Sequence, residues 1–233
     1  MAKQADDPVP SSATTASTTQ RIRQALENAI LNGEHRPGAR LDPEALARQF
    51  ACSRTPIRDV LQQLEASGLV QVQPKRGTFV TEWSFEELAE RFEMMAEVEA
   101  SCARLAARRI TEAELSAFAA AHDACREAAR SGDAEAYYQA NTDFHCCLYA
   151  ATHNSFLRQE ALRLHRMLQP YRRLQLRGRN RIANSLAEHE AILGAVRRGD
   201  AEGAGQATYA HILVQGDRFH DLIAAVRSAS ADA

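Results

Sequence analysis

Residues 53–58 read Ser-Arg-Thr-Pro-Ile-Arg, and the proline in that run constrains the chain more than any other single feature. Proline has no backbone N–H to donate, so it sits without cost only in the first turn of a helix. A helix must therefore begin beside Pro56, with Ser53 placed to cap it. A shorter helical segment ends just upstream: Asp42 is its cap, Pro43 its first residue, Leu46 and Ala47 its buried side, and Phe50 lies near its end. Only Ala51 and Cys52 remain between the two, which makes a helix-turn-helix.

The flanks extend this unit. Ile22, Leu26, Ala29 and Ile30 recur at helical spacing from Gln20 to Asn32, and Gly33 stops that helix. The third helix runs to about Ser67. Its buried face is Ile57, Val60, Leu61 and Leu64, which leaves Arg54, Thr55, Arg58 and Asp59 outward. Beyond Gly68, Leu69–Val72 alternates, Pro74-Lys75-Arg76-Gly77 turns, and Thr78–Val80 returns, the pattern of a two-stranded hairpin. Three helices and a β-ribbon over residues 19–82 predict a winged helix-turn-helix domain.

Residues 1–18 are small, polar and proline-containing and predict a disordered arm. From residue 83 to about 230 the chain is rich in helix formers. Ser84-Phe85-Glu86-Glu87 and Thr111-Glu112-Ala113-Glu114 are capping boxes, and Gly132-Asp133 and Gly199-Asp200 each pair a stop with a cap. Helices are expected at about 84–108, 111–131, 133–152, 155–177, 181–198 and 200–228, in an antiparallel all-α bundle. The fold class is mainly α.

Charge locates a nucleic-acid function if there is one. The net charge of the whole chain is -2, which excludes bulk polybasic binding. Residues 20–80 nevertheless carry 9 basic and 6 acidic side chains, while 81–233 carry 18 and 22. The excess of base thus falls on the third helix and hairpin tip. Taken alone, Ser-Arg-Thr-Pro is an ordinary solvated helix start. On the second helix of a helix-turn-helix, followed by Lys75 and Arg76 at a wing tip, it is suited to base edges and phosphates of duplex DNA. No run approaches the ~18 apolar residues of a membrane helix and no secretory signal is evident, so a cytoplasmic location is expected. Five cysteines without a C-x-x-C pair suggest neither a disulfide framework nor a zinc knuckle.

The stretch P-G-x-x-L at Pro37, L-A-x-x-F at Leu46, S-R-T-P-I-R-D-V-L-x-x-L-E-x-x-G-L-V at Ser53 and P-x-R-G-T-F-V at Pro74 resembles the amino-terminal domain of GntR-type bacterial transcription regulators over residues 20–81. The resemblance implies operator contacts from Ser53, Arg54, Thr55, Arg58 and Gly77. Lys75 and Arg76 join them by their place at the hairpin tip. One departure is Glu44, where many members carry arginine; a carboxylate near phosphate is repulsive, so that contact is expected to be missing.

His145, His189 and His211 lie in three different expected helices among apolar neighbours. Spacing alone does not distinguish a site from core histidines. The region 84 to about 226 resembles the FCD domain of the FadR subgroup, through N-x-x-F-H at Asn141–His145, A-x-x-N-S-F at Ala151, E-H-x-A-I-L at Glu188 and G-D-x-x-x-A at Gly199. The resemblance implies a divalent metal held by those three histidines and by a side chain four residues before the first. That position is Asn141 here, where the family often has aspartate. Residues i and i+4 share a helix face, whereas Asp143 points away. A carbonyl oxygen without charge favours Zn or Ni on imidazoles over a hard cation. The metal's charge should then stand unbalanced in an apolar bundle.

His35, His122, His153, His165 and His220 are expected to be exposed or capping, and Cys146 and Cys147, adjoining His145, to diverge by about 100°. Arg172, Arg173, Arg177, Arg179 and Arg181 read as a solvated face from which one member could reach an anion. Met95 stands where the subgroup frequently has arginine. The expected function is a ligand-responsive regulator, usually a repressor, homodimeric, bound to operator DNA and sensing a small carboxylate. Two other readings remain at this level: a three-histidine metalloenzyme, for which no general-base motif is present, and a constitutive architectural DNA binder.

Overall fold

The computed structural model describes residues 18–176 and 180–217. The expected arm, the end of the last helix, Arg177, Arg179 and His220 lie outside the described residues.

The amino-terminal unit contains α1 (Thr18–Leu31), α2 (Pro43–Gln49) and α3 (Arg54–Ala66) with strands β1 (Arg40–Leu41), β2 (Val70–Gln73) and β3 (Gly77–Val80). Asp42 caps α2 as expected, its side chain accepting the N–H groups of Glu44 and Ala45. Ser53 occupies the cap position of α3 without a side-chain cap bond. The sheet has a third strand beyond the expected hairpin. Its order is β1-β3-β2, antiparallel, with Leu41 and Val72 on either side of Thr78. Two residues are too few for alternation to show in sequence, which is why β1 was not anticipated. Ile22, Leu26, Ile30, Leu46, Ile57, Val60, Leu64 and Val80 form one buried core, with Ile57 and Leu64 fully enclosed.

The second unit is a bundle of α4 (Phe85–Arg109), α5 (Glu112–Ser131), α6 (Ala134–Ala150), α7 (Ser155–Gln175), α8 (Arg181–Arg197) and α9 (Ala201–Asp217). Both capping boxes form reciprocally, and Gly132 ends α5 with φ 72°, a left-handed conformation that costs glycine little. Half of the buried stripe of α4 is alanine: Ala96, Ala100, Ala103, Ala106 and Ala107. Small side chains let α9 lie close along it. Phe118, Phe144, Tyr149 and Ile192 fill the centre between α5, α6 and α8.

The two units meet along α7. Trp83 stacks on Tyr171 with ring centres 5.5 Å apart. Arg173 Nη1 donates to Asn32 Oδ1 at the end of α1 at 2.6 Å.

Candidate functional site

Three helices deliver one imidazole each to the bundle interior: His145 from α6, His189 from α8 and His211 from α9, none more than 1% exposed. Their ligand nitrogens all lie within 4.8 Å of one another. The Nε2 atoms of His145 and His211 face each other at 3.3 Å, close to the ~3.3 Å separating two nitrogens that are each about 2.05 Å from a tetrahedral ion.

The outer nitrogens explain that orientation. His145 Nδ1 is 2.7 Å from Glu99 Oε2, and His211 Nδ1 is 2.6 Å from Glu188 Oε2. With both carboxylates ionised, each Nδ1 carries the proton and donates it, so each Nε2 presents a lone pair. Two facing lone pairs repel unless a proton or a cation stands between them. The proton is disfavoured: burial lowers the pKa of His145, takes that of His189 well below the ordinary value, and takes that of His211 to about 4, the last two despite or beyond their neighbours' influence. His189, stacked on Phe144 at 4.1 Å, has no hydrogen-bond partner at either ring nitrogen among the described residues. The donor set therefore fits a divalent cation of intermediate softness.

Two arginines stand behind the carboxylates. Arg172 Nη1 lies 3.3 Å from Glu99 Oε1, and Arg181 Nη1 donates to both oxygens of Glu188 at 2.9 Å. Burial alone would raise the Glu99 pKa, but His145 and Arg172 together hold it well below the usual carboxylate range. The same opposition, from His211 and Arg181, lowers that of Glu188. Two carboxylates and two guanidiniums cancel, so a bound M²⁺ would keep its charge, in a buttressed polar site rather than the apolar setting expected.

Both guanidiniums also line a small pocket with Tyr138, Asn141, Gln175, Leu176 and Ser185, of about 10 Å³, room for about one water molecule. Asn141 is buried, one turn before His145. The solvated arginine face thus needs correction. Arg172 and Arg181 are 3% and 4% exposed, because each is paired with a carboxylate inside the bundle, Arg172 with the fully buried Glu99 and Arg181 with the partly buried Glu188. Arg173, next along α7, faces outward to Asn32, Glu135 and the ring of Tyr138. Arg172 also approaches Met95 Sδ at 3.6 Å, so α7 brings a guanidinium to the place where the subgroup's arginine on the α4 segment is absent.

Two further histidines depart from expectation. His122 and His165 are buried rather than exposed, since each falls on the inner stripe of its helix, beside Phe118 and Cys125 or Ala161 and Leu168. His122 Nε2 meets Glu190 at 2.8 Å, and His165 Nδ1 meets the Tyr149 hydroxyl at 3.2 Å. His153 is exposed on Glu114. Cys146 and Cys147 are half-buried and outside the histidine cluster; burial raises the pKa of both thiols, that of Cys146 to about 11.

On the other unit, Ser53, Arg54, Thr55 and Arg58 are exposed along the start of α3, and Lys75 and Arg76 are exposed at the wing tip. Gly77 has φ 112°, and a Cβ there would come within 3.3 Å of Arg40 Nε. Arg54 Nη2 pairs with Glu44 Oε1 at 2.9 Å, a contact that sequence spacing did not suggest.

A winged-helix unit with an exposed cationic helix start, joined to an all-helical domain around a histidine cluster, defines a class of two-domain DNA-binding regulator. Residues 18–80 match the bacterial regulatory proteins of the gntR family, and residues 90–213 match the FCD domain. The chain belongs to the GntR family, as a transcription regulator with an FCD domain. It is 28% identical over 214 residues to the galactonate operon transcriptional repressor of Escherichia coli K12, covering 83% of this chain and 93% of that protein. It is 30% identical over 205 residues to the regulator LutR of Bacillus subtilis 168, covering 78% and 92%. McbR/YncC of E. coli superposes with a TM-score of 0.74 at 23% identity, over 91% of this chain and 100% of that one. These relatives are regulators, and the metalloenzyme reading is set aside. No helix among the described residues is long and apolar enough to cross a membrane.

Proposed function

We propose that this regulator is a metal-dependent sensor of a small organic acid that acts as a repressor in the bacterial cytoplasm. His145, His189 and His211, with the Asn141 carbonyl as a neutral fourth donor, would hold Zn or Ni. Bound there, the metal supplies a Lewis-acidic position for a carboxylate. Arg172 and Arg181 receive the anion's other oxygens, and Tyr138 and Ser185 offer hydroxyls to a polyhydroxylated body. The observation that carries this reading is the pair of Nε2 lone pairs at 3.3 Å, each fixed by a carboxylate on the far nitrogen. The galactonate repressor among its relatives supports a sugar acid or hydroxy acid.

On the DNA side, Arg54 and Arg58 read base edges, Ser53 and Thr55 bind phosphate, and Lys75, Arg76 and Gly77 place the wing. One winged helix reads only a short site, and a two-fold dimer through the helical domain doubles the contacts on a palindrome. A direct test loads the purified protein with Zn²⁺ or Ni²⁺ and titrates sugar acids and hydroxy acids against a duplex that the protein selects from a random pool. Release of the duplex by an acid only in the metal-loaded protein is expected. A protein that takes up no metal after soaking would overturn the sensor model.

A further inference from the structure

The start of α2 is closed to phosphate. A helix amino terminus ordinarily offers free N–H groups and a positive dipole end to a DNA phosphate. Here Pro43 has no N–H, those of Glu44 and Ala45 go to the Asp42 carboxylate at 3.1 and 3.3 Å, and that of Leu46 goes to the Asp42 carbonyl at 3.0 Å. Two carboxylates, Asp42 and Glu44, stand where an anion would approach. Glu44 then reaches across the turn to Arg54, the first residue of the recognition helix.

We propose that Glu44 is a specificity-determining residue: it positions the Arg54 guanidinium and keeps it from settling on phosphate, so that non-specific DNA is penalised and the operator is not. The proposal rests on the assignment of Arg54 to base reading made above. Both side chains are more than half exposed, so the pair adds little to folding stability in water. Its effect appears beside DNA. On a random duplex a lone arginine takes the nearest phosphate, but one already bonded through Nη2 must bring a carboxylate into the phosphate field, where like charges repel. On the operator the remaining N–H groups of Arg54 can still address a guanine edge. Building in a repulsion against the wrong partner is a recognised route to discrimination.

The test compares wild type, Glu44→Gln, Glu44→Ala and Arg54→Ala on a duplex selected from a random pool and on a scrambled duplex of equal length, across a salt series. Both Glu44 variants should bind scrambled DNA about tenfold more tightly and the selected duplex within about twofold. The salt slope on scrambled DNA should steepen by about one as Arg54 gains a phosphate. Melting temperatures should not change. If Arg54→Ala loses discrimination while both Glu44 variants shift the two duplexes equally, or shift neither, the proposal falls and the base-reading assignment stands. If Arg54→Ala binds both duplexes like wild type, the assignment fails and takes the proposal with it.

Discussion

Replacing Glu99 by glutamine tests whether the polar core of the helical domain is a built site or incidental packing. Glu99 is fully buried, with one oxygen 2.7 Å from His145 and the other 3.3 Å from Arg172. At 3.3 Å the Arg172 attraction alone is about 5 kcal/mol for an effective dielectric of ~20. Glutamine keeps the shape and some of the hydrogen bonding but leaves the guanidinium buried without its counter-charge. Breaking such a pair typically costs about 3–5 kcal/mol, and at about 2–4 °C per kcal/mol in a chain of this size the melting temperature should fall by roughly 6–20 °C. Glutamine can also turn its amide toward His145 Nδ1 and so favour the wrong tautomer, which should weaken metal binding by about 10–100-fold. Scanning calorimetry of the apoprotein measures the first effect, and competition titration with a chromogenic zinc chelator the second. An unchanged melting temperature together with unchanged zinc affinity would refute the reasoning. A second variant, Glu99→Leu with Arg172→Leu, should recover much of the stability but not the metal affinity, since paired removal leaves no stranded charge.

Other outcomes follow from the same geometry. The folded-state pKa of His211 is lowered to about 4, so the unfolded chain binds its proton first; stability should be lost as pH falls from about 6.5 to about 4, with Glu99, also lowered, adding loss below about 4.5, as urea midpoints across pH will show. Asn141→Asp should strengthen metal binding by adding charge to the donor set and weaken binding of a carboxylate to the loaded protein, both read by calorimetry; the reverse order would remove Asn141 from the site. Arg58→Ala should cost about 1–3 kcal/mol of binding to the selected duplex in a gel-shift titration, with little change in melting temperature because the side chain is exposed. Light scattering at micromolar concentration should give a dimer, and a monomer with one protein per operator would count against the proposed assembly.

The winged helix was legible in the sequence because its punctuation is local. Asp42-Pro43, Ser53 with Pro56, Gly68 and the Pro74–Gly77 turn each fix a boundary through backbone chemistry, and the buried face of α3 follows from a period of 3.6 residues. The helices of the second unit were legible for the same reason, through two capping boxes and two Gly-Asp pairs. The support around the histidines was much less so. Glu99 lies 46 residues from His145 and Arg172 lies 73 residues from Glu99, and such pairings exist only once helices are packed. One signal was available: Phe92, Met95, Ala96, Cys102, Ala103 and Ala106 mark the inner stripe of α4, and Glu99 is the only charged residue among those buried on that helix. A carboxylate on an apolar stripe requires a cationic or hydrogen-bonding partner. The burial of His122 and His165 follows from the same stripe reading. The strand β1 left no such trace.

Arg172 and Arg173 are neighbours on one turn of α7, yet one lines the small pocket beside the histidines and the other contacts the DNA-binding unit through Asn32. A space of about 10 Å³ cannot admit an organic acid unless its walls give way, and α7 is one of those walls. If an acid occupies this pocket, as proposed above, it and the duplex on α3 would compete for, or cooperate through, the setting of a single helix. Thermodynamic reciprocity then applies: whatever factor the acid imposes on operator affinity, the operator imposes on the affinity for the acid. The protein seated on its operator and the protein free in solution need not share one sensitivity to the metabolite, and the concentration at which a gene responds would be set by the bound form.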